Sequence, residues 1–98
     1  MKEQNIKNAE HYGYKRQSQQ AIEECSELIQ AISKYNRLLN GEYAGKEKKI
    51  IANLIEELAD VEICIEQLKY FLEVSDTKLD NIKQFKIKRT SNIINGNH

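Results

Sequence analysis

The chain has no proline, no tryptophan, four glycines and two cysteines in 98 residues. Without proline, nothing forces a helix to kink or stop partway along. The cysteines, Cys25 and Cys64, are too few for a disulfide framework and read as reduced, buried, cytosolic thiols. No CxxC pair or thiolate cluster favours zinc. Histidine is also scarce. His11 and His98 lie near the two ends, and no Glu-x-x-His pair of the di-iron type is present. Neither sign of charge prevails, with Lys plus Arg and Asp plus Glu at 15 each. That balance gives no general drive toward nucleic acid or an anionic membrane. No apolar run is long enough to span a bilayer. The first residues, MKEQNIKNAE, are polar and lack the apolar core of a signal peptide. The expectation is a cytoplasmic protein that binds neither nucleic acid nor membrane.

What is present is helical periodicity. The length suits one domain, residues 1–98, with 1–14 as an N-terminal extension and 95–98 as a frayed tail. Residues 2–12 read as a short polar helix. A long helix is expected from Lys15 to Asn40, with Ala21, Ile22, Cys25, Leu28, Ile29, Ile32, Tyr35 and Leu39 as its apolar side. Gly41 is its stop. A second long helix is expected from Lys46 to Glu73. Its seam is Ile51, Leu54, Leu58, Val61, Ile65, Leu68 and Leu72, advancing in steps of three and four. Ser75 or Asp76 caps a third helix, Thr77 to Ile94, with Leu79, Ile82, Phe85 and Ile93 as its apolar side. The fold class is all-α: an antiparallel bundle of two long helices and a C-terminal helix, assembling into a homo-oligomeric four-helix-type core.

Two acidic tetrads carry the chemistry: Glu24-Cys25-Ser26-Glu27 and Glu57-Leu58-Ala59-Asp60. Residues three apart on a helix are neighbours. With Leu28 as the centre of its face, Glu24 lies roughly 40° and Glu27 roughly 100° to one side. With Leu54 as the centre, Glu57 lies roughly 60° and Asp60 roughly 120° to one side. Both pairs therefore border apolar surface. Carboxylates crowded there repel one another and lose hydration, a conflict that a divalent cation removes. An all-oxygen donor set suits Mg²⁺, with Mn²⁺ as the alternative. Mg²⁺ commonly pairs a few carboxylates with substrate phosphates, which points to nucleotide chemistry. The competing reading is a solvated acidic face on an ordinary bundle, in which the chain is a non-catalytic oligomerisation or regulatory module.

The strings EECSELIQAI (Glu23–Ile32) and EELADVEI (Glu56–Ile63) resemble the ExxE…ExxD signature of the MazG-like, all-α nucleoside triphosphate pyrophosphohydrolases. Dimeric dUTPases and phosphoribosyl-ATP pyrophosphohydrolases are relatives of that family. The resemblance covers roughly residues 12–90 and includes Tyr12-Gly13 and Gln17 upstream. It implies that Glu24, Glu27, Glu57 and Asp60 hold Mg²⁺, and that a nucleoside triphosphate is cleaved to the monophosphate and pyrophosphate. Glu23 is then a candidate to orient the attacking water, or a surface residue. The resemblance assigns Lys83, Lys86 and Arg89 of the C-terminal helix, with Gln17 and Tyr12, to substrate binding. The same basic residues also suit a helix C-terminus on electrostatic grounds. The loop between the acidic motifs is longer than in compact members. The tryptophan with which some relatives stack the base is missing, leaving Tyr12, Tyr14 or Tyr35 for that part. One chain offers too few helices to enclose a substrate, so a homo-oligomer, dimer or tetramer, is expected.

Overall fold

The computed structural model describes residues 1–96; residues 97 and 98 of the expected tail lie outside that range. Among the described residues the chain forms four helices and no strand: α1 (Lys2–Tyr12), α2 (Tyr14–Leu39), α3 (Glu47–Phe71) and α4 (Asp76–Ile94). The short helix expected over residues 2–12 forms as α1, so the count is four where the fold-class expectation named three.

The breaks have local causes. α1 and α2 are separated by Gly13 alone, at φ 85° and ψ 166°, a backbone region that side-chain-bearing residues avoid. α2 ends at Leu39 with Asn40 as its C-cap, and Gly41 (φ 93°) turns the chain and donates its N–H to the Leu38 carbonyl at 3.0 Å. Glu47 opens α3 by accepting the Gly45 N–H at 3.0 Å. Ser75 caps α4, its Oγ accepting the Lys78 N–H at 3.1 Å.

α2 and α3 form an antiparallel hairpin. Tyr14 meets Phe71 edge-on, Gln17 bonds Gln67, and Tyr35 and Leu38 share a groove with Ile51 at the loop end. The contacting side of α2 runs through Gln17, Ala21, Glu24, Leu28, Ala31, Tyr35 and Leu38. That of α3 runs through Ile50, Leu54, Glu57, Val61, Cys64, Leu68 and Phe71. Both advance in alternating steps of four and three, the spacing of helices packed at a shallow angle. α1 lies across this hairpin. Gln67, 4% exposed, donates to Asn5 Oδ1 at 2.8 Å and accepts from Gln17 Nε2 at 2.9 Å. Asn5 also donates to the Ile63 carbonyl and to Glu66 Oε1. The buried amide is therefore satisfied on both sides and ties three helices together.

Two findings depart from the sequence reading. First, each long helix carries a second apolar stripe that faces outward. On α2 it is Ile22, Cys25, Ile29, Ile32 and Leu39; on α3 it is Ile51, Ile55, Leu58, Ile65 and Leu72. Ile29 is 67% exposed and Leu72 64%. Cys64 is buried as expected. Cys25 is exposed, because it sits between Ile22 and Ile29 on the outer stripe. Second, α4 forms over nearly the expected residues but packs along none of the other helices. Lys69 of α3 and Lys2 of α1 pair with Asp76 in its first turn. The radius of gyration is 17.2 Å, against about 13 Å for a compact domain of this size. Among the described residues no large side chain is fully buried. A single copy leaves much of its apolar surface uncovered.

Candidate metal centre

Glu24 of α2 and Glu57 and Asp60 of α3 converge where the hairpin helices face each other. One carboxylate oxygen from each lies within 4.8 Å of the others. All three side chains are half-buried. Asp60 follows Glu57 by three residues, so the two point out of one turn of α3. Glu24 meets them because the antiparallel pairing brings it level with that turn.

The Oε2 atoms of Glu24 and Glu57 are shielded from water and have no hydrogen-bond partner. Burial pushes the Glu24 carboxyl above its ordinary value; the Gln20 hydrogen bond opposes this, while the charges of Glu27 and Asp60 add to it. Burial likewise pushes Glu57 up, reinforced by the charges of Glu27, Asp60 and Glu24. Orphaned, water-shielded carboxylate oxygens are uncommon in a finished protein interior. A cation between them would satisfy both oxygens and cancel the repulsion. The donor set is all oxygen, and three carboxylates with room for water suit a Mg²⁺-sized ion. Cys64 stands close by, but burial first, and then the charges of Glu24, Cys25 and Asp60, push its thiol up. It remains protonated near neutral pH and adds no thiolate to the site.

The other sequence candidates fall in different places. Glu27 is exposed and outside the converging triad, but near enough to act on Glu57. Glu23 is exposed. It borders an open groove of about 640 Å³ with Tyr12, Lys15, Arg16, Gln19 and Gln20. There the Arg16 guanidinium stacks 4.6 Å from the centre of the Tyr12 ring. Gln17 is engaged inside the bundle by Gln67. Lys83, Lys86 and Arg89 are exposed on α4, and their own chain does not bring them to the carboxylates. On α2, Arg37 pairs with Glu42 at 3.0 Å, and Lys34 and Arg37 flank the Tyr43 ring.

Gln20 joins the carboxylate cluster, which the acidic motif did not announce. Its Nε2 donates to Glu24 Oε1 at 2.7 Å, while Oε2 of the same carboxylate has no partner. The signal was its position four residues before Glu24 on one helix. No family model, curated protein or solved structure matches the chain.

Proposed function

We propose that the chain is a Mg²⁺-dependent nucleoside triphosphate pyrophosphohydrolase that acts in the cytoplasm as a homo-oligomer. The observation that carries this reading is the pair of orphaned oxygens on Glu24 and Glu57 beside Asp60. The MazG-like resemblance of the same residues supplies the reaction class. Glu24, Glu57 and Asp60 would hold the ion, with Glu27 at the rim. Mg²⁺ bound there supplies charge neutralisation on the phosphates and a bound water of lowered pKa.

The chain's own groups do the rest. Gln20 fixes the rotamer of Glu24. Glu27, exposed beside the triad, would accept a proton from the attacking water. The groove of Tyr12, Lys15 and Arg16 adjoins Glu23 and Gln20. It offers an aromatic face for a base and two cations for phosphate or sugar oxygens. Water adds to one phosphorus, pyrophosphate departs and a nucleoside monophosphate remains. Removal of non-standard or excess nucleotides is the cellular task that fits. A dUTPase or a phosphoribosyl-ATP enzyme would use the same carboxylates on a different substrate. The outward stripes of α2 and α3 supply the surface for self-association.

A second reading has its own support. Those stripes equally suit a non-catalytic oligomerisation module. Incubation with a panel of nucleoside triphosphates and Mg²⁺, read as pyrophosphate release against Glu57→Gln, separates the two. Release that disappears in the variant supports the enzyme. No release from any nucleotide, with no Mg²⁺-dependent change in melting, leaves the module.

A further inference from the structure

Neutral net charge conceals an ordered sequence of charge along one side of the hairpin. On α2, Arg16, Gln20, Glu23 and Glu27 advance in steps of four, three and four, and Lys34 follows Glu27 by seven residues, so they share one stripe. On α3, Lys46 precedes Glu57 and Lys49 precedes Asp60 by eleven residues each. Eleven residues make about three turns, so each lysine stands on the same side of the helix as its carboxylate. The α2 and α3 rows belong to one side of the hairpin, because Glu27 is near enough to Glu57 for its charge to act there. From the N-terminal end of α2 to the loop, that side is basic at Arg16, acidic at the triad and basic again at the loop end.

The cations at the loop end are gathered there. Lys34 Nζ lies 5.6 Å from the centre of the Tyr43 ring, and Arg37 Cζ lies 5.2 Å from it. The Lys46 N–H donates to the Tyr43 carbonyl at 3.0 Å, which ties the start of α3 to the same residue. Lys34, Lys46 and Lys49 are exposed, and among the described residues none pairs with a carboxylate. The neighbouring acids are engaged elsewhere, Glu42 by Arg37 and Glu47 by the Gly45 N–H. Lys46 and Lys49 also stand at the start of α3, where the helix dipole repels cations. Helix stability gives no reason for them there, whereas an anion bridging them does.

Distance sets the kind of anion. At 1.5 Å per residue, Lys34 lies about 10 Å along α2 from Glu27, and Lys49 about 16 Å along α3 from Asp60. The groove of Tyr12 and Arg16, which offers the face for a base, lies toward the opposite end of the stripe. A nucleotide with its base there and its phosphates at the triad points the end of its phosphate chain toward the loop. Each further phosphate adds one P–O–P link in that direction.

We propose that the substrates are nucleotides with a chain of four or more phosphates, whose distal phosphates lie on Lys34, Lys46 and Lys49. A nucleoside tetraphosphate and two nucleosides joined through such a chain share this chemistry. The inference rests on the carboxylate triad being the hydrolytic site, and adds what lies beyond the first three phosphates. Water adds to the phosphorus next to the nucleoside, and its proton passes to Glu27. The bond from that phosphorus to the bridging oxygen breaks, and the oxygen leaves with the electron pair on the rest of the chain. A nucleoside tetraphosphate gives the monophosphate and inorganic triphosphate. A joined pair gives a nucleoside monophosphate and a nucleoside triphosphate.

The test compares adenosine triphosphate, adenosine tetraphosphate and diadenosine tetraphosphate on the full wild-type chain with Mg²⁺, with products resolved by anion exchange. The expected kcat/KM is on the order of tenfold higher for a four-phosphate substrate than for the triphosphate, the scale of two or three exposed ion pairs together. Which four-phosphate substrate leads tells the free chain from the joined one. The advantage should disappear in Lys34→Gln/Lys49→Gln and persist in Lys34→Arg/Lys49→Arg. Hydrolysis of the triphosphate without that preference overturns the proposal and leaves the pyrophosphohydrolase reading standing. A preference that survives the glutamine variant also overturns it. A second readout needs no turnover: methylene-bridged adenosine analogues with three and four phosphates are titrated by calorimetry with Mg²⁺ present. If no substrate is hydrolysed, the hydrolase reading falls, and equal binding of the two analogues overturns the proposal with it. Tighter binding of the longer analogue, lost in the glutamine variant, would instead keep this side of the hairpin as a receptor for long phosphate chains.

Discussion

Replacing Glu57 by glutamine should act in opposite directions with and without Mg²⁺. Glutamine has the shape of a protonated glutamate, so the substitution keeps the packing and removes one crowded charge. In the folded chain, Glu24 and Glu57 sit above the ordinary value of 4.5, chiefly through burial. The folded state then holds protons more tightly than the unfolded state. In the metal-free protein this penalises folding as pH rises from the ordinary value through the raised folded value, and the penalty is complete above it. Metal-free Glu57→Gln should therefore melt above wild type at pH 7, and the difference should shrink toward zero as the pH falls to about 4. Asp76, held low mainly by Lys69, and Glu47, held low by backbone N–H groups, slope the other way. The informative quantity is thus the difference between variant and wild type. With Mg²⁺ the sign reverses, since only ionised carboxylates bind it. At one hundred times its Kd, Mg²⁺ should stabilise wild type by about 2.7 kcal/mol. At about 4–8 °C per kcal/mol for a domain of this size, that is a Tm gain on the order of 10–20 °C. The variant should gain little. The assay is melting by circular dichroism at fixed protein concentration, at several pH values, with Mg²⁺ or with EDTA. Equal Mg²⁺ gains in both proteins, or a metal-free variant that melts below wild type at pH 7, would refute the reasoning.

Other perturbations test the scaffold. Gln67→Leu removes two interhelical hydrogen bonds and should cost about 1–3 kcal/mol, read as a lower urea midpoint with early loss of α1 protection in hydrogen exchange. Leu58→Glu charges the outward stripe of α3 and should lower the oligomeric mass in sedimentation while helicity by circular dichroism is kept. Ser75→Ala removes the cap of α4 and should cost about 1 kcal/mol, concentrated as fraying of residues 76–79 in exchange measurements.

The helix boundaries were legible because single residues mark them: Gly13, Gly41 and Ser75 each sit within two residues of an observed end. That Glu24 meets Glu57 and Asp60 was legible because acidic pairs bordering the apolar faces of successive helices are brought together by an antiparallel hairpin. Glu27 is exposed outside the triad, although the same three-residue spacing keeps Glu57 and Asp60 together on α3, so the spacing alone did not say which carboxylates meet. The periodicity merged inner and outer stripes, as Ile22 and Ile29 on α2 illustrate. A three-four spacing says that a face is apolar, not whether its own chain covers it. That α4 packs along none of the other helices was hidden for the same reason. Asn5 and Gln67 were invisible as partners because they lie 62 positions apart and neither belongs to a local motif.

The one-residue break at Gly13 carries a consequence of handedness. A Cβ added there would meet nothing within 4 Å, so the position has space for a side chain. What forbids an L-residue is torsion alone, since φ 85° with ψ 166° is the mirror image of an ordinary extended conformation. A D-alanine installed at position 13 by chemical ligation would find that geometry natural. It would also restrict the unfolded chain, where glycine is freest. The angle between α1 and the hairpin is in this sense written in stereochemistry, and a single inverted centre should hold it more firmly than the native residue does.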